Sequence, residues 1–308
     1  MKHLAWISLV GIGLAGCTNE GQKPQTAQAS VIATTTTTAS ASTSVEASTA
    51  SAAPSSTAPA GPKLEVVDMT PSPDPTPMPS VRITSPKMND SVAVEKAGNL
   101  AVKLEVKDWK TAKGDKHVHL ILDDLPYVAI YDASDSVPLS TLLGGREIKE
   151  GQHVLHAFAS RPTHESVKSD KASAMVTFWV GKPGAVTFDP AHPHVVFSRP
   201  KGANKGAMGK NLLIDFYLWP HNLDGGRHVR ATLSGDTLPT PFAVDFATWA
   251  PKLIVGLPKG DYNVKLELLD SSNAILPGPL TSITQKISVD PDAPMEPMAM
   301  PSASHSAH

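Results

Sequence analysis

Between about residue 100 and residue 290 the chain alternates apolar and polar positions in short runs. Val102, Leu104 and Val106 alternate with Lys103, Glu105 and Lys107. Val118, Leu120 and Leu122 alternate with His117, His119 and Ile121. Val264, Leu266 and Leu268 alternate with Asn263, Lys265 and Glu267. A period of two is that of a strand with one face buried in a core. Turn-forming residues separate the runs, as at Gly225-Gly226, Pro258-Lys259-Gly260 and Ser271-Ser272-Asn273. No amphipathic helix of useful length interrupts them. About seven short strands per ~100 residues predicts an all-β chain of immunoglobulin-like β-sandwiches.

The pattern occurs twice. Asn99 to Val106 aligns with Asn211 to Leu218, Gly114 to His119 with Gly225 to Arg230, and Glu150 to Leu155 with Lys259 to Val264. The spacing repeats too: Gly114 to Gly151 spans 37 residues against 35 for Gly225 to Gly260, and both copies continue 29 residues to Val180 and Val289. Each opens alike, with Ile83-Thr84-Ser85-Pro86 against Phe197-Ser198-Arg199-Pro200. Two tandem sandwiches are expected, over 81–182 and 183–291, meeting near Lys182-Pro183-Gly184.

The flanks read differently. Met1-Lys2-His3, an apolar run from Leu4 to Leu14 and Ala15-Gly16-Cys17 form a basic, apolar and small-residue series. The run is about half the ~20 residues that span a bilayer as a helix. Leu14-Ala15-Gly16-Cys17 resembles a bacterial lipobox. That resemblance implies a lipoprotein signal peptide over 1–16, lipidation of Cys17, and a membrane anchor through two or more acyl chains. Thr18 stands where an Asp resembles an inner-membrane retention signal, so the expected location is the cell envelope at the outer membrane. From 17 to 80 Ser, Thr, Ala and Pro dominate, with Thr34 to Thr38 a run of Thr and Pro71, Pro73, Pro75, Pro77 and Pro79 alternating. Such a segment is expected to be a disordered tether, extended near its prolines. A disordered tail is expected over 292–308.

Composition narrows the function. The net charge of -2 offers no basic field for nucleic acid, and one cysteine excludes an intramolecular disulfide framework and Cys-rich zinc sites. There is no Gly-x-Ser-x-Gly, His-Glu-x-x-His, Walker loop or dinucleotide fingerprint, so no enzyme is expected. The run His117 to Asp123, the run Gly151 to Leu155 and Arg161-Pro-Thr-His-Glu-Ser-Val-Lys168 resemble an uncharacterised family of bacterial secreted proteins. The resemblance covers residues 80–290 and implies the immunoglobulin-like fold without an activity.

Histidine carries the candidate chemistry. His117 and His119 share the outward face of one strand, and the repeat places His156 outward on another. In an immunoglobulin-like sandwich these strands pair, which would gather His117, His119 and His156, with His164 and Glu165 in the following loop. Imidazoles so placed suit Cu or Zn. The plainer reading is a solvated polar sheet face with no cofactor. His-Val-His on a sandwich strand is also similar to copper/zinc superoxide dismutase, but the His-rich loop and disulfide of that family are missing. Met295, Met298, Met300, His305 and His308 in the tail have copper-binding composition, and Asp123, Asp124, Asp132 and Asp135 read as solvated loop acids. His192-Pro193-His194 reads as structural punctuation before the second domain. Trp109 and Trp219, at the ends of equivalent strands, are expected to share a packing role. Trp179 and Trp249 complete a set whose exposure would make a sugar platform. The leading expectation is a membrane-anchored, non-catalytic module that binds an unknown protein or polysaccharide of the envelope. A metal-binding protein and a carbohydrate-associated module are the alternatives.

Overall fold

The computed structural model describes residues 61–294. The expected signal segment, Cys17, the tether up to residue 60 and the tail residues Met295, Met298, Met300, His305 and His308 lie outside the described residues. Within them the chain is all-β. Its strands in order are β1 (Glu65–Asp68), β2 (Ser80–Ser85), β3 (Asp90–Val92), β4 (Ala101–Lys107), β5 (His117–Leu122), β6 (Val128–Ile130), β7 (Val137–Pro138), β8 (Gly151–Ser160) and β9 (Ser173–Val180). They continue as β10 (His194–Arg199), β11 (Gly202–Lys205), β12 (Asn211–Trp219), β13 (His228–Ser234), β14 (Phe242–Phe246), β15 (Lys252–Val255), β16 (Gly260–Leu269) and β17 (Ser282–Asp290). The longest described helix is Leu139–Leu143, and no described helix is long and apolar enough to cross a membrane.

The first sandwich faces the sheet β2-β4-β7 against β3-β9-β8-β5-β6, and the second faces β1-β15-β12-β10 against β11-β17-β16-β13-β14. Strands β2 to β9 and β10 to β17 run through the same topology. In each copy the opening strand leaves its sheet at a bulge, between Ile83 and Ser85 or between Phe197 and Arg199. Each then rejoins the opposite sheet as a parallel partner of the last strand, β3 on β9 and β11 on β17. A cis X-Pro bond marks both crossings, at Pro86 and Pro200. This is the immunoglobulin-like order, reached by both halves of the chain.

The period-two residues fill the two cores. Val102, Val118, Leu120, Leu122 and Leu155 are buried in the first, and Ile214, Phe216, Val264, Leu266 and Leu268 in the second. A third apolar cluster lies between the sandwiches, where Ile121, Tyr127 and Phe158 meet Val196 and Tyr217. The outward side of β5 and β8 is therefore packed on the outward side of β10 and β12. The sheet face expected to be solvated is buried: His117, His119 and His156 are 1%, 0% and 0% exposed.

The expected tether also ends earlier than residue 80. Residues 65–68 form β1, which pairs antiparallel with β15 of the second sandwich, Glu65 opposite Val255 and Asp68 opposite Lys252. The Pro-rich stretch then crosses to the first sandwich, where the Ser72 N–H and hydroxyl both donate to the Glu165 carboxylate. Arg161 donates to the carbonyls of Ser72 and Pro73. Low apolar content argued against an independent fold here, but backbone hydrogen bonds to an existing sheet edge need no apolar side chains.

Candidate metal centre at the sandwich interface

Pairing of β5 with β8 sets the register that decides which histidines meet. His117 lies opposite Ser160, His119 opposite Phe158, and His156 opposite Ile121. All three point to the same face, but His156 sits one pleat further along than His119. The cluster that forms is His117, His119 and His164, whose ligand-capable nitrogens lie within 4.8 Å of one another. His117 Nε2 is 3.0 Å from His119 Nε2 and 3.1 Å from His164 Nδ1. His164 arrives from the loop after β8, in the left-handed backbone region at φ 64° that histidine tolerates better than most residues.

The hydrogen bonds fix how the rings present themselves. The Asp115 carbonyl, 2.8 Å from His117 Nδ1, can only accept. His117 therefore carries its proton on Nδ1 and turns the Nε2 lone pair toward its two neighbours. His119 Nδ1 meets Ser198 Oγ of the second sandwich at 3.1 Å, an outer contact that orients the ring. The His119 ring is also clamped between Tyr127, stacked at 3.6 Å, and the edge of Phe158. Tyr127 Oη lies 3.4 Å from His164 Nδ1 and accepts a hydrogen bond from Arg199.

All three imidazoles are held neutral. Burial lowers the His117 pKa, with Arg199 adding to the effect and the Asp115 carbonyl opposing it. Burial lowers His119 well below the ordinary value, reinforced by His117, His164, Arg199 and Lys201. His164 falls to about 3 through burial and then through Arg199, His117 and Lys201. Neutral imidazole is the ligand form. Four-coordinate Zn–N bonds of ~2.0–2.1 Å place ligand nitrogens roughly 3.3 Å apart, so two of the three pairs need open by only a few tenths of an ångström around an ion.

His156 takes part in a different pair. Its Nε2 lies 3.0 Å from His194 Nε2, beside Trp219. The His192 carbonyl, 2.9 Å from His194 Nδ1, fixes the tautomer of His194. His194, expected to be punctuation, thus opens β10 and joins the interface. Glu165 is not a ligand either, because its carboxylate is committed to Ser72. The Arg161 to Lys168 run is the hub of the folded region. Arg161 and Glu165 hold the N-terminal segment, and His164 completes the cluster. The Ser166 N–H donates to Asp215, and the Lys168 ammonium pairs with Asp215 at 2.6 Å.

Trp109 and Trp219 do not share a role. Register puts Lys107, not Trp109, at the position of Trp219. Trp109 packs in the first core and donates to the His117 carbonyl, whereas Trp219 packs at the interface. Trp179 is buried and Trp249 half-buried, so no tryptophan among the described residues stands exposed as a sugar platform. Tyr127, Ser198, Arg199 and Lys201 were missed. Their signal was indirect: outward positions of the second copy, such as Val196 and Tyr217, are apolar where the first copy has Arg82 and Glu105.

No protein-family model matches the chain, and no curated protein matches it. Among solved structures, the fibronectin(III)-like modules of CbhA from Clostridium thermocellum share 16% identity over 68% of this chain and 94% of that one, with a TM-score of 0.23. The FN1-FN3 domains of chicken CNTN1 share 13% over 70% and 67%, with a TM-score of 0.24. SGBP-B of Bacteroides ovatus, solved with a mixed-linkage heptasaccharide, shares 18% over 68% and 47%, with a TM-score of 0.19. Strand order and register define the immunoglobulin-like fold of both sandwiches.

Proposed function

We propose that this chain is a lipid-anchored, non-catalytic protein of the bacterial envelope whose folded region binds a transition-metal ion, Cu or Zn, through His117, His119 and His164. The observation that carries this reading is the convergence of three neutral imidazole nitrogens, at 3.0 and 3.1 Å, where the second sandwich covers His117 and His119. The other buried polar groups of the interface pair among themselves, His156 with His194 and Lys168 with Asp215, whereas His117, His119 and His164 bring three ring nitrogens to one point. Cys17 supplies the anchor at the outer membrane, and the second sandwich presents its open face to a protein or polysaccharide partner of the envelope.

The test is a competition titration of the full chain in detergent with Cu and Zn, beside His119→Ala and His164→Ala. One tight equivalent present in the wild type and missing from both variants is expected. Metal uptake that is identical in all three, with circular dichroism showing all three folded, would remove the reading. The tail residues Met295, Met298, Met300, His305 and His308 are common to the three proteins, so their binding cancels in the comparison.

A further inference from the structure

Resting on that reading, we infer that the site is built for a soft monovalent cation, Cu(I), and that the ion enters past Met69 and Met208. Three observations converge on this. The first is the donor set. The atoms that converge are all neutral nitrogens, with no carboxylate or thiolate among them to offset a second positive charge. The second is the surrounding charge. Arg199 is buried, and its guanidinium donates to the Tyr127 hydroxyl that itself lies 3.4 Å from His164 Nδ1. The Lys201 ammonium sits 4.4 Å from the centre of the Tyr127 ring, the ring that stacks on His119. These cations oppose a bound metal as they oppose an imidazolium, and a dication meets twice the repulsion of a monocation.

The third observation is the approach. A pocket of about 270 Å³ opens beside the cluster, lined by Met69, His164, Arg199, Met208, Leu213 and Leu253. Met208 is 46% exposed, and its Sδ lies 3.9 Å from the Arg199 guanidinium. Thioether sulfur beside imidazole favours Cu(I) over harder divalent ions. Met69 belongs to the segment that follows β1, so the docked N-terminal segment completes the wall of the pocket.

The test uses the full chain under anaerobic, reducing conditions, with Cu(I) from a chromophoric chelator, Ag(I) as a redox-inert monovalent probe, and Zn(II). One equivalent of Cu(I) and of Ag(I) is expected, abolished in His119→Ala, with Zn(II) weaker by about 100-fold or more. Removing a cation should rank the ions by charge. The contacts of 3.2 and 3.4 Å through the Tyr127 hydroxyl put the Arg199 guanidinium within about 9 Å of an ion held by His164, so at an effective dielectric of about 20 Arg199→Met should raise Ag(I) affinity about 20-fold or more and Zn(II) affinity by the square of that factor. Lys201→Met, at a half-buried position, gives the same ranking should Arg199→Met fail to fold. Met69→Leu with Met208→Leu should slow transfer from the chelator without changing the end point. Zn(II) binding tighter than Cu(I), or equal gains for both charges, overturns the monovalent site while leaving the metal reading intact. An unchanged transfer rate in the double Met variant overturns the route. Loss of no metal in His119→Ala removes the metal reading itself.

Discussion

Removing Asp215 tests whether the two sandwiches are held as one block. Its carboxylate is fully buried, pairs with Lys168 at 2.6 Å and accepts the Ser166 N–H at 3.0 Å. Asp215→Ala leaves the Lys168 ammonium, whose side chain is 13% exposed, with the Ser166 hydroxyl, the Phe216 carbonyl and the face of the Trp249 ring but no counter-charge. Removing one partner of a buried ion pair destabilises by ~3–5 kcal/mol, and partial access of water to Lys168 points to the lower end, about 3 kcal/mol. Lys168→Met strands the carboxylate instead, which is the more deeply buried charge, and should cost about 4 kcal/mol. In Asp215→Asn with Lys168→Met no charge is stranded, and the amide oxygen can still accept the Ser166 N–H. With Asp215→Asn and Lys168→Met as its two single variants, the cycle should therefore show coupling of about 2 kcal/mol or more. The assay is guanidinium unfolding of the full chain followed by tryptophan fluorescence, since Trp219 and Trp249 flank the interface. The wild type should give one transition and Asp215→Ala a broader or split one, as the sandwiches uncouple. Losses below about 1 kcal/mol in both single variants, with no coupling, would show that the pair does not hold the halves together.

Acid should loosen the same interface. The His194 pKa is lowered to about 4 by burial, against an ordinary value of 6.5, and burial and His194 lower His156 well below it. The unfolded chain takes these protons first, so this stability is complete above about pH 6.5 and is lost as pH falls toward 4. His194 alone accounts for about 2 kcal/mol of that loss by pH 5; urea unfolding at pH 7 and pH 5 measures it, and His194→Leu should flatten the slope. At Gly256, with φ +90°, a Cβ would sit 2.4 Å from the Lys63 carbonyl oxygen. Gly256→Ala should release β1, at about 2 kcal/mol or more, seen as faster tryptic cutting after Lys63; an unchanged cutting rate would mean that β1 docks otherwise. His153 behaves oppositely to the interface histidines. Burial would lower its pKa, but the hydrogen bond and charge of Asp123 outweigh that and raise it. Its contribution is therefore present below pH 6.5 and lost above its raised pKa, and Asp123→Asn should abolish that alkaline loss in unfolding curves.

The sandwiches were legible because each strand writes its buried face into alternate residues. Val118, Leu120 and Leu122 face the core as their spacing requires, and the duplicated spacing located both copies. The site was half legible. His117 and His119 follow from one strand's period, and His164 from its loop, but His156 depended on the offset between β5 and β8. No local pattern encodes that offset: one pleat along the same face was enough to move the ring to another partner. In the first copy the burial of that face was signalled only by Ile121 and Phe158, apolar side chains scattered among histidines and alanines. It was readable by comparing copies, and the residues that cover the site come from the second. Strand β1 was illegible for another reason: its four residues are exposed, and what orders them is the backbone of a neighbouring strand, joined by the Lys252–Asp68 ion pair.

The contact between the sandwiches joins unlike faces of like units, so by symmetry alone it could be repeated without end, each new copy stacking on the last. The chain closes that possibility at both ends. Where the first sandwich offers His119, Ala129, His156 and Phe158, the second has Arg230, Asp245, Lys265 and Glu267, with Arg230 paired to Asp245 and Lys265 to Glu267. Where the second offers Val196, Asp215, Tyr217 and Trp219, the first has Arg82, Lys103, Glu105 and Lys107. Each unit thus keeps one adhesive side for its sibling and a charged side for water, as terminal caps do in repeat proteins. Like units therefore meet once through unlike faces, and the two faces left over carry charge where their counterparts carry the contact.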